Sequence, residues 1–451
     1  STTNHTFLFP LVDEAKELKA DFHKNCALSA FALFEADVLI LVTGAGFSAD
    51  SGLAVYADVA NVKAYEERNL TYQDICTPQW LHSDPELFYG FWGQCFNDYR
   101  KTQPHDGYSI IKQWRDAKNS GRVASELRAL TEDFTKEVEE KSRRMMEEGM
   151  TDFCLPSFPL ITRPEPYDIE GYAGAFFTFT SNVDAHSFDV FQANEIREIH
   201  GNVELWQCSQ PNCCRGGERI FRAPLGHSFT VDTETMLAPM GNGQPHDAPN
   251  SKPDYEGETE TIAKQQAVKS EHAETNARIS KTLGSQRQYP LRFMPHHNSE
   301  FYEFTHNHPR CHFCRSLARP AILMFDDLNW VDNDAQEQRW HIWNESLISL
   351  CEDRAEASDE DYGKERLKIC ILEVGCGDRV RTCRMQSEDM LETLTERGGD
   401  VTLIRVNPDF PLADDPENSK SVISIMSRGL EAIREIDVVF RRLSKKGPCS
   451  S

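Results

Sequence analysis

The chain has 451 residues, enough to bury a large core and to form two or three domains. With 48 Lys plus Arg against 72 Asp plus Glu, its formal net charge is -24. A field of that sign repels nucleic acid and anionic membrane and attracts cationic partners such as lysine-rich tails, so direct nucleic-acid binding is not expected. No run of 18 apolar residues occurs, so no transmembrane helix is expected. The first residues show no basic segment leading into a long apolar one, which predicts a cytoplasmic or nuclear protein rather than a secreted one.

Residues 1–35 read as a helical lead-in, with Leu11, Ala15, Leu18, Phe22 and Cys26 at helix-like spacing. Residues 36–43, ADVLILVT, are a continuous apolar run of the kind expected for a parallel strand covered on both faces. The turn Gly44-Ala45-Gly46-Phe47-Ser48-Ala49-Asp50-Ser51-Gly52 follows at once. Glycine at 44 and 46 lets the backbone turn sharply and approach a ligand, and a helix starting there would face phosphate with its free N–H groups. The spacing is neither GxGxxG nor a P-loop. Leu87, Phe88, Phe91, Trp92, Cys95, Phe96 and Tyr99 give the stretch 83–118 a helical period, and the charged stretch 120–150 reads as a solvated helix or flexible excursion. Further strands are predicted at 174–180, 196–200, 321–326, 367–374 and 401–406, and a closing helix at 419–439. Residues 237–300 are rich in Gly, Pro and polar residues and read as a disordered insertion.

Short apolar strands alternating with helices predict an α/β fold, a doubly wound parallel sheet. Ligands of such sheets lie at the carboxyl ends of the strands. The polar clusters 44–52, 181–186, 200–201, 375–378 and 407 fall at those ends.

Most of the 14 cysteines, including Cys26, Cys76, Cys95, Cys154 and Cys351, sit on core-like segments and read as small hydrophobes. Cys208-x4-Cys213 and Cys311-x2-Cys314 supply four thiolates, enough for a closed structural zinc site. The adjacent Cys214 leaves one ligand open, and unligated thiols are the alternative. Asn182 and Asp184, two apart after the strand FFTFT and next to Ser181, can hydrogen-bond an amide and a ribose hydroxyl, or simply close an Asx turn. His200, at a strand end and followed by Gly201, is placed like a general base.

The series GAGFSADSG, TSNVDAHS, HGNVELWQC, the paired cysteines, Ala318-Arg319-Pro320 leading to ILMFDD, Gly375-Cys376-Gly377 and Val406-Asn407 resembles the sirtuin family over roughly residues 28–440. The resemblance implies an NAD-dependent protein-lysine deacylase with a Rossmann-like large domain (about 36–200 and 318–440) and a smaller zinc-binding lobe (about 202–317) that contains the insertion. The lead-in 1–35 and a tail at 441–451 flank this catalytic domain. Ala45, Gly46 and Ser48, with Gly44 before them, would line the phosphate and ribose region of NAD. Ser181, Asn182 and Asp184 would hold the nicotinamide end, and Gly375, Cys376 and Asn407 the adenosine half. His200 would deprotonate a ribose hydroxyl after the acyl oxygen has displaced nicotinamide, giving O-acyl-ADP-ribose. An acylated-lysine protein or peptide is the implied partner.

Two segments depart from the family pattern. The usual Ile-Pro-Asp-Phe-Arg is Leu53-Ala54-Val55-Tyr56-Ala57-Asp58, where Tyr56 still offers an aromatic face to the nicotinamide. The usual Phe-Gly-Glu is Phe325-Asp326-Asp327, in the loop expected to pair with the acyl-lysine backbone. These changes leave two other readings open: an NAD glycohydrolase or ADP-ribosyltransferase on the same fold, and a non-catalytic NAD-binding module.

Overall fold

The apolar runs at Val38–Thr43 (β1), Lys368–Val374 (β9) and Asp400–Val406 (β10) form the middle of a six-stranded sheet in a computed structural model. The structure describes residues 10–55, 62–147, 167, 169–210, 220–224, 226–240, 302–304, 307–311, 314–360 and 365–446. Phe176–Thr180 (β2), Ile196–Glu198 (β3) and Val422–Ile425 (β11) complete the sheet in the order β11-β10-β9-β1-β2-β3, with every pairing parallel.

Successive side chains of a strand point to opposite faces, and both faces here are covered. Leu39, Leu41, Phe176, Cys370 and Leu372 pack in one buried cluster with residues of the helices Phe22–Glu35, Asp106–Asn119 and Gly429–Lys446. Val38, Ile40, Val42, Phe177, Ile369 and Ile371 pack in another with the helices Arg122–Glu147, Asp334–Glu360 and Thr382–Glu396. Trp343 anchors this second face, its indole N–H donating to the Gly174 carbonyl at 2.8 Å. The sheet is doubly wound, as its apolar runs predict.

A smaller lobe is built on Gly201–Cys208 (β4), Ile220–Arg222 (β5) and Ala318–Ile322 (β8), antiparallel in the order β5-β4-β8. Tyr302–Glu303 (β6) pairs antiparallel with Arg310–Cys311 (β7). Trp206, Phe221 and Phe229 share a buried core with Leu87, Phe88, Phe91, Trp92 and Phe96, so the helix Pro85–Lys101 belongs to this core. Arg100 fastens that helix to β4 through two hydrogen bonds to the Glu204 carboxylate, at 2.9 and 2.7 Å.

Three expectations change. Of the apolar run at 321–326 only Ala321 and Ile322 are strand, the end of antiparallel β8 in the small lobe and not a member of the parallel sheet, because a short apolar run carries no signature of its partner. The segment 419–439 is not all helix: β-branched Val422-Ile423-Ser424-Ile425 forms the sheet edge and the helix begins at Gly429. Residues 237–240 are ordered, with Ala238 fully buried and its N–H bonded to the Glu86 carbonyl at 2.9 Å. The rest of the expected insertion lies outside the described residues.

Candidate functional site

Chain order reverses between β1 and β9: β2 and β3 lie to one side, β10 and β11 to the other. Loops leaving adjacent strands diverge at such a switch point and open a crevice at the carboxyl ends. Here the crevice consists of two cavities that share Ala45, Ser181 and Val380 as walls. One, of about 380 Å³, is lined by Gly44, Ala45, Gly46, Gly375, Cys376 and Asn407 among others. The other, of about 190 Å³, is lined by Ser48, Asn182, Asp184 and His200 among others.

The glycines after β1 serve the protein's own packing. The Gly44 N–H bonds the Val374 carbonyl at 3.1 Å and the Gly46 N–H bonds the Gly375 carbonyl at 3.0 Å, so both amides are engaged by the end of β9 and the residue that follows it. Gly375 has φ +68, and a Cβ there would lie 2.4 Å from the Phe47 nitrogen. Only glycine allows these two turns to touch. The helix that follows, Ala45–Ala49, is short. Asp50 then caps the last helix, accepting from the Leu430 N–H at 2.7 Å and pairing with Arg428 at 3.2 Å.

After β2, Thr180 bonds Thr43 at 2.7 Å and the Ser181 N–H bonds the Thr43 carbonyl at 3.2 Å, which fixes the exit of the strand. The Asp184 carboxylate accepts hydrogen bonds from the Ser48 hydroxyl and, at 2.8 Å, from the His186 N–H. It is thus an Asx-type turn and also a bridge to the β1 turn. The Asn182 amide nitrogen is buried and has no acceptor among the described residues. A buried donor left unmade is costly, so this nitrogen fits a ligand that carries an acceptor oxygen.

His200 sits between β3 and β4, its carbonyl accepting from the Leu323 N–H at 3.0 Å. Gly201 has φ +68 and would put a Cβ 2.0 Å from the Ala321 carbonyl oxygen, so the histidine is followed by a position that only glycine fills. Burial holds the imidazole below its ordinary range, aided by the Arg197 guanidinium and opposed by a hydrogen bond to the Ser181 backbone. Arg197 is itself held by Asp332 at 2.9 and 2.7 Å. The ring is therefore neutral near pH 7, the form a base needs.

Asn407 turns inward: its amide nitrogen donates to the Cys376 carbonyl at 2.7 Å, and its oxygen accepts from Asp409 and Phe410 at 2.9 and 3.0 Å. It shapes the cavity wall more than it offers free groups. Behind the wall, Arg405 joins Glu373 and Glu388 while Arg384 holds Asp414, a buried network that fixes the loop after β10. The sequence reading missed these residues. It also missed Glu198, a fully buried carboxyl pushed up to about 8 by its burial, which accepts from Asn202 at 2.6 Å.

Cys208, Cys311 and Cys314 converge, with all three sulfurs within 4.8 Å of one another and 3.6 Å between those of Cys208 and Cys314. Sulfurs around a tetrahedral zinc lie roughly 3.8 Å apart, given Zn–S bonds of about 2.3 Å. The Gln210 N–H points at the Cys208 sulfur from 3.4 Å, as suits a thiolate. The donor set fits zinc with one position left. Cys213 and Cys214, like Tyr56, lie outside the described residues.

The Phe325-Asp326-Asp327 loop turns without a glycine. Asp326 occupies the left-handed region at φ +55, which Asp tolerates better than most residues. Asp327 grips the buried Arg319 with both oxygens. Asp327→Ala would strand a buried guanidinium, and thermal or denaturant unfolding should register a loss of about 3–5 kcal/mol.

No protein-family model matches the chain, and neither does any curated protein. Among solved structures it is similar to a mutant Sir2 homologue in complex with ADP-ribose, at 13% identity over 92% of this chain and 96% of that one, TM-score 0.42. A Sir2 homologue–NAD complex matches at 14% identity over 92% and 93%, TM-score 0.43. A Sir2 variant with deacetylated p53 peptide and 3'-O-acetyl ADP-ribose matches at 14% over 93% and 96%, TM-score 0.38. No described helix is long and apolar enough to cross a membrane.

Proposed function

We propose that the chain is a divergent sirtuin, an NAD-dependent protein-lysine deacylase that releases nicotinamide and O-acyl-ADP-ribose. One observation carries this reading: Asn182, whose amide nitrogen has no acceptor among the described residues, the tethered Asp184 and His200 line one cavity, which adjoins a larger one at the switch point of the sheet.

NAD, when bound, supplies the ribose carbon whose bond to nicotinamide is broken. Gly44, Ala45, Gly46, Gly375 and Cys376 would wall its adenosine and phosphate portion, with Asn407 holding the loop behind. Asn182 would donate to an oxygen at the nicotinamide end, and Asp184, fixed by Ser48 and His186, would accept from a hydroxyl or amide. His200 would take a proton from a ribose hydroxyl while the apolar walls exclude water. Cys208, Cys311 and Cys314 would bind structural zinc, with Cys213 or Cys214 as fourth ligand, and so fasten the end of β4 to β7 and to Cys314 in the turn after it. The net charge of -24 favours a lysine-rich protein substrate.

Mass spectrometry of NAD products with and without an acetyl-lysine peptide tests this reading. Nicotinamide and O-acyl-ADP-ribose should form only when the peptide is present. NAD loss without peptide would make the protein a glycohydrolase or transferase, and unchanged NAD in both arms would make it a binding module.

A further inference from the structure

The turn that carries His200 is clamped from behind. Glu198 ends β3 two residues before the histidine, and Asn202 lies in β4 two residues after it. The Glu198 Oε2 accepts from the Asn202 amide at 2.6 Å, so the two flanks of Ile199-His200-Gly201 are tied across the turn. The same amide nitrogen donates to the Tyr167 hydroxyl at 2.6 Å, and the Asn202 side-chain oxygen accepts from the Glu204 N–H at 3.0 Å. The Tyr167 hydroxyl donates to Glu198 at 3.4 Å, and its ring stacks on Phe188 with centroids 4.2 Å apart. From another side the Gln336 side-chain oxygen accepts from the Glu198 N–H at 2.8 Å. Glu198, Asn202 and Tyr167 are buried, and none of the three is among the described walls of either cavity. A cluster that meets no ligand yet fixes both shoulders of one imidazole reaches the chemistry through that imidazole.

The charge state of the clamp follows from its surroundings. The groups that act on the Glu198 carboxyl from other elements are the Asp184 carboxylate, the Tyr167 hydroxyl and the amides of Asn202 and Gln336. Arg197, its neighbour in β3, faces the opposite side of the strand and pairs with Asp332. Burial, helped by the Asp184 charge, pushes Glu198 up to about 8, so the acid is largely neutral near pH 7. Ionising it places a second buried anion beside Asp184, which is unfavourable.

We propose that Glu198 is a positioning residue which, acting through Asn202, holds the His200 turn and so keeps the imidazole in the wall of the smaller cavity. The inference rests on the deacylase reading for what the imidazole does there. Removing the acceptor strands a buried Asn202 amide and frees one shoulder of the turn. A base displaced by even about 1 Å loses much of its effect, since proton transfer needs hydrogen-bond reach. Above about pH 8 the same clamp loosens as Glu198 ionises.

Two measurements on the full chain test it. The first is NMR of protein carrying carbon-13-labelled histidine, with the His200 signal assigned by its loss in His200→Ala. The imidazole should titrate below the ordinary value of about 6.5 in wild type and in Glu198→Gln, whose amide oxygen still accepts from Asn202. In Glu198→Ala it should move up toward that value, because a loosened turn admits water. The second is kinetics. Glu198→Ala should lower kcat for peptide-dependent nicotinamide release about ten-fold or more with KM for NAD within about two-fold, the mark of a misplaced base. Glu198→Gln should match wild type near neutral pH within about two-fold, and should keep its rate above about pH 8, where wild type declines. These results need only the isosteric variant, so they decide the matter if the alanine protein does not fold. A Glu198→Gln enzyme that loses about ten-fold near neutral pH or shares the alkaline decline, or a His200 titration unchanged in Glu198→Ala, overturns the inference. Absence of peptide-dependent nicotinamide release from wild type overturns the deacylase reading instead, and the His200 titrations then decide the inference alone.

Discussion

His200→Ala is expected to lower peptide-dependent nicotinamide release by about 10²- to 10⁴-fold, the range over which a positioned general base contributes. NAD affinity should fall far less than the rate, because the walls assigned to the adenosine and phosphate portion, in the larger cavity, do not include this residue. The pH dependence gives a second reading of the same group. Burial lowers the pKa of the imidazole, so it gives up its proton more readily than an ordinary histidine. The wild-type rate should therefore hold as pH falls through the normal histidine range near 6.5 and decline only below it. A decline centred at or above pH 6.5, or an alanine variant within a few-fold of wild type, would remove His200 from the role of base. Arg197→Ala, which deletes a nearby cation, should shift the acid limb upward, since that cation is one of the causes of the depression.

Much of this site was legible because its signals are local. The apolar strand at 38–43 and the glycines at 44 and 46 announce a strand and a tight turn, and the strand ends mark where a ligand can lie. The reason for the glycines was not legible. Gly46 and Gly375 are separated by hundreds of residues, and only the parallel pairing of β1 with β9 shows that one turn packs on the other. The strand Gly201–Cys208 hides for a different reason. Its Asn202 and Glu204 alternate with Val203 and Leu205 as on a strand with one face in water, yet with Gln207 they are buried, so both faces are inside. Their partners, Glu198, Arg100 and the Asn329 carbonyl, come from three separate segments, and pairing of that kind leaves no pattern in a single sequence. Trp92 illustrates the opposite failure. Its position on the apolar stripe of a helix is what a core residue shows, and an indole N–H without an acceptor among the described residues becomes visible only after packing. At Phe325-Asp326-Asp327, φ +55 at Asp326 gives the chain a left-handed turn without the glycine usual there, a backbone property that residue identity alone does not announce.

Replacing Cys311 by serine should empty the metal site of the small lobe and destabilise it. The purified wild-type protein should contain one zinc per chain by elemental analysis, and Cys311→Ser should contain none. The magnitude follows from what else holds the lobe. In isolated zinc-finger peptides metal binding is worth roughly 10–16 kcal/mol, because nothing else folds them. Here Trp206, Phe221 and Phe229 pack with the helix Pro85–Lys101, and Arg100 is bound to Glu204, so β4 and β5 keep an apolar and ionic anchor without metal. The turn Cys311–Ser316 has less: the Cys311 N–H bonds the Ser316 carbonyl and the Arg315 N–H bonds the Cys311 carbonyl, both at 2.8 Å, and Arg315 is held at φ +59. The loss should therefore fall below the zinc-finger value, near 3–5 kcal/mol, and lower Tm by roughly 6–15 °C if the lobe unfolds with its neighbours. Cys351→Ser provides the control, since that thiol is buried in the core of the large sheet and its loss should leave the zinc content at one. Chelation should reproduce the Cys311 variant more completely as pH falls, because protons compete with the metal for thiolates. A wild-type protein that carries no zinc, or a Cys311 variant with unchanged metal and Tm, would reduce the three converging sulfurs to a chance cluster of thiols.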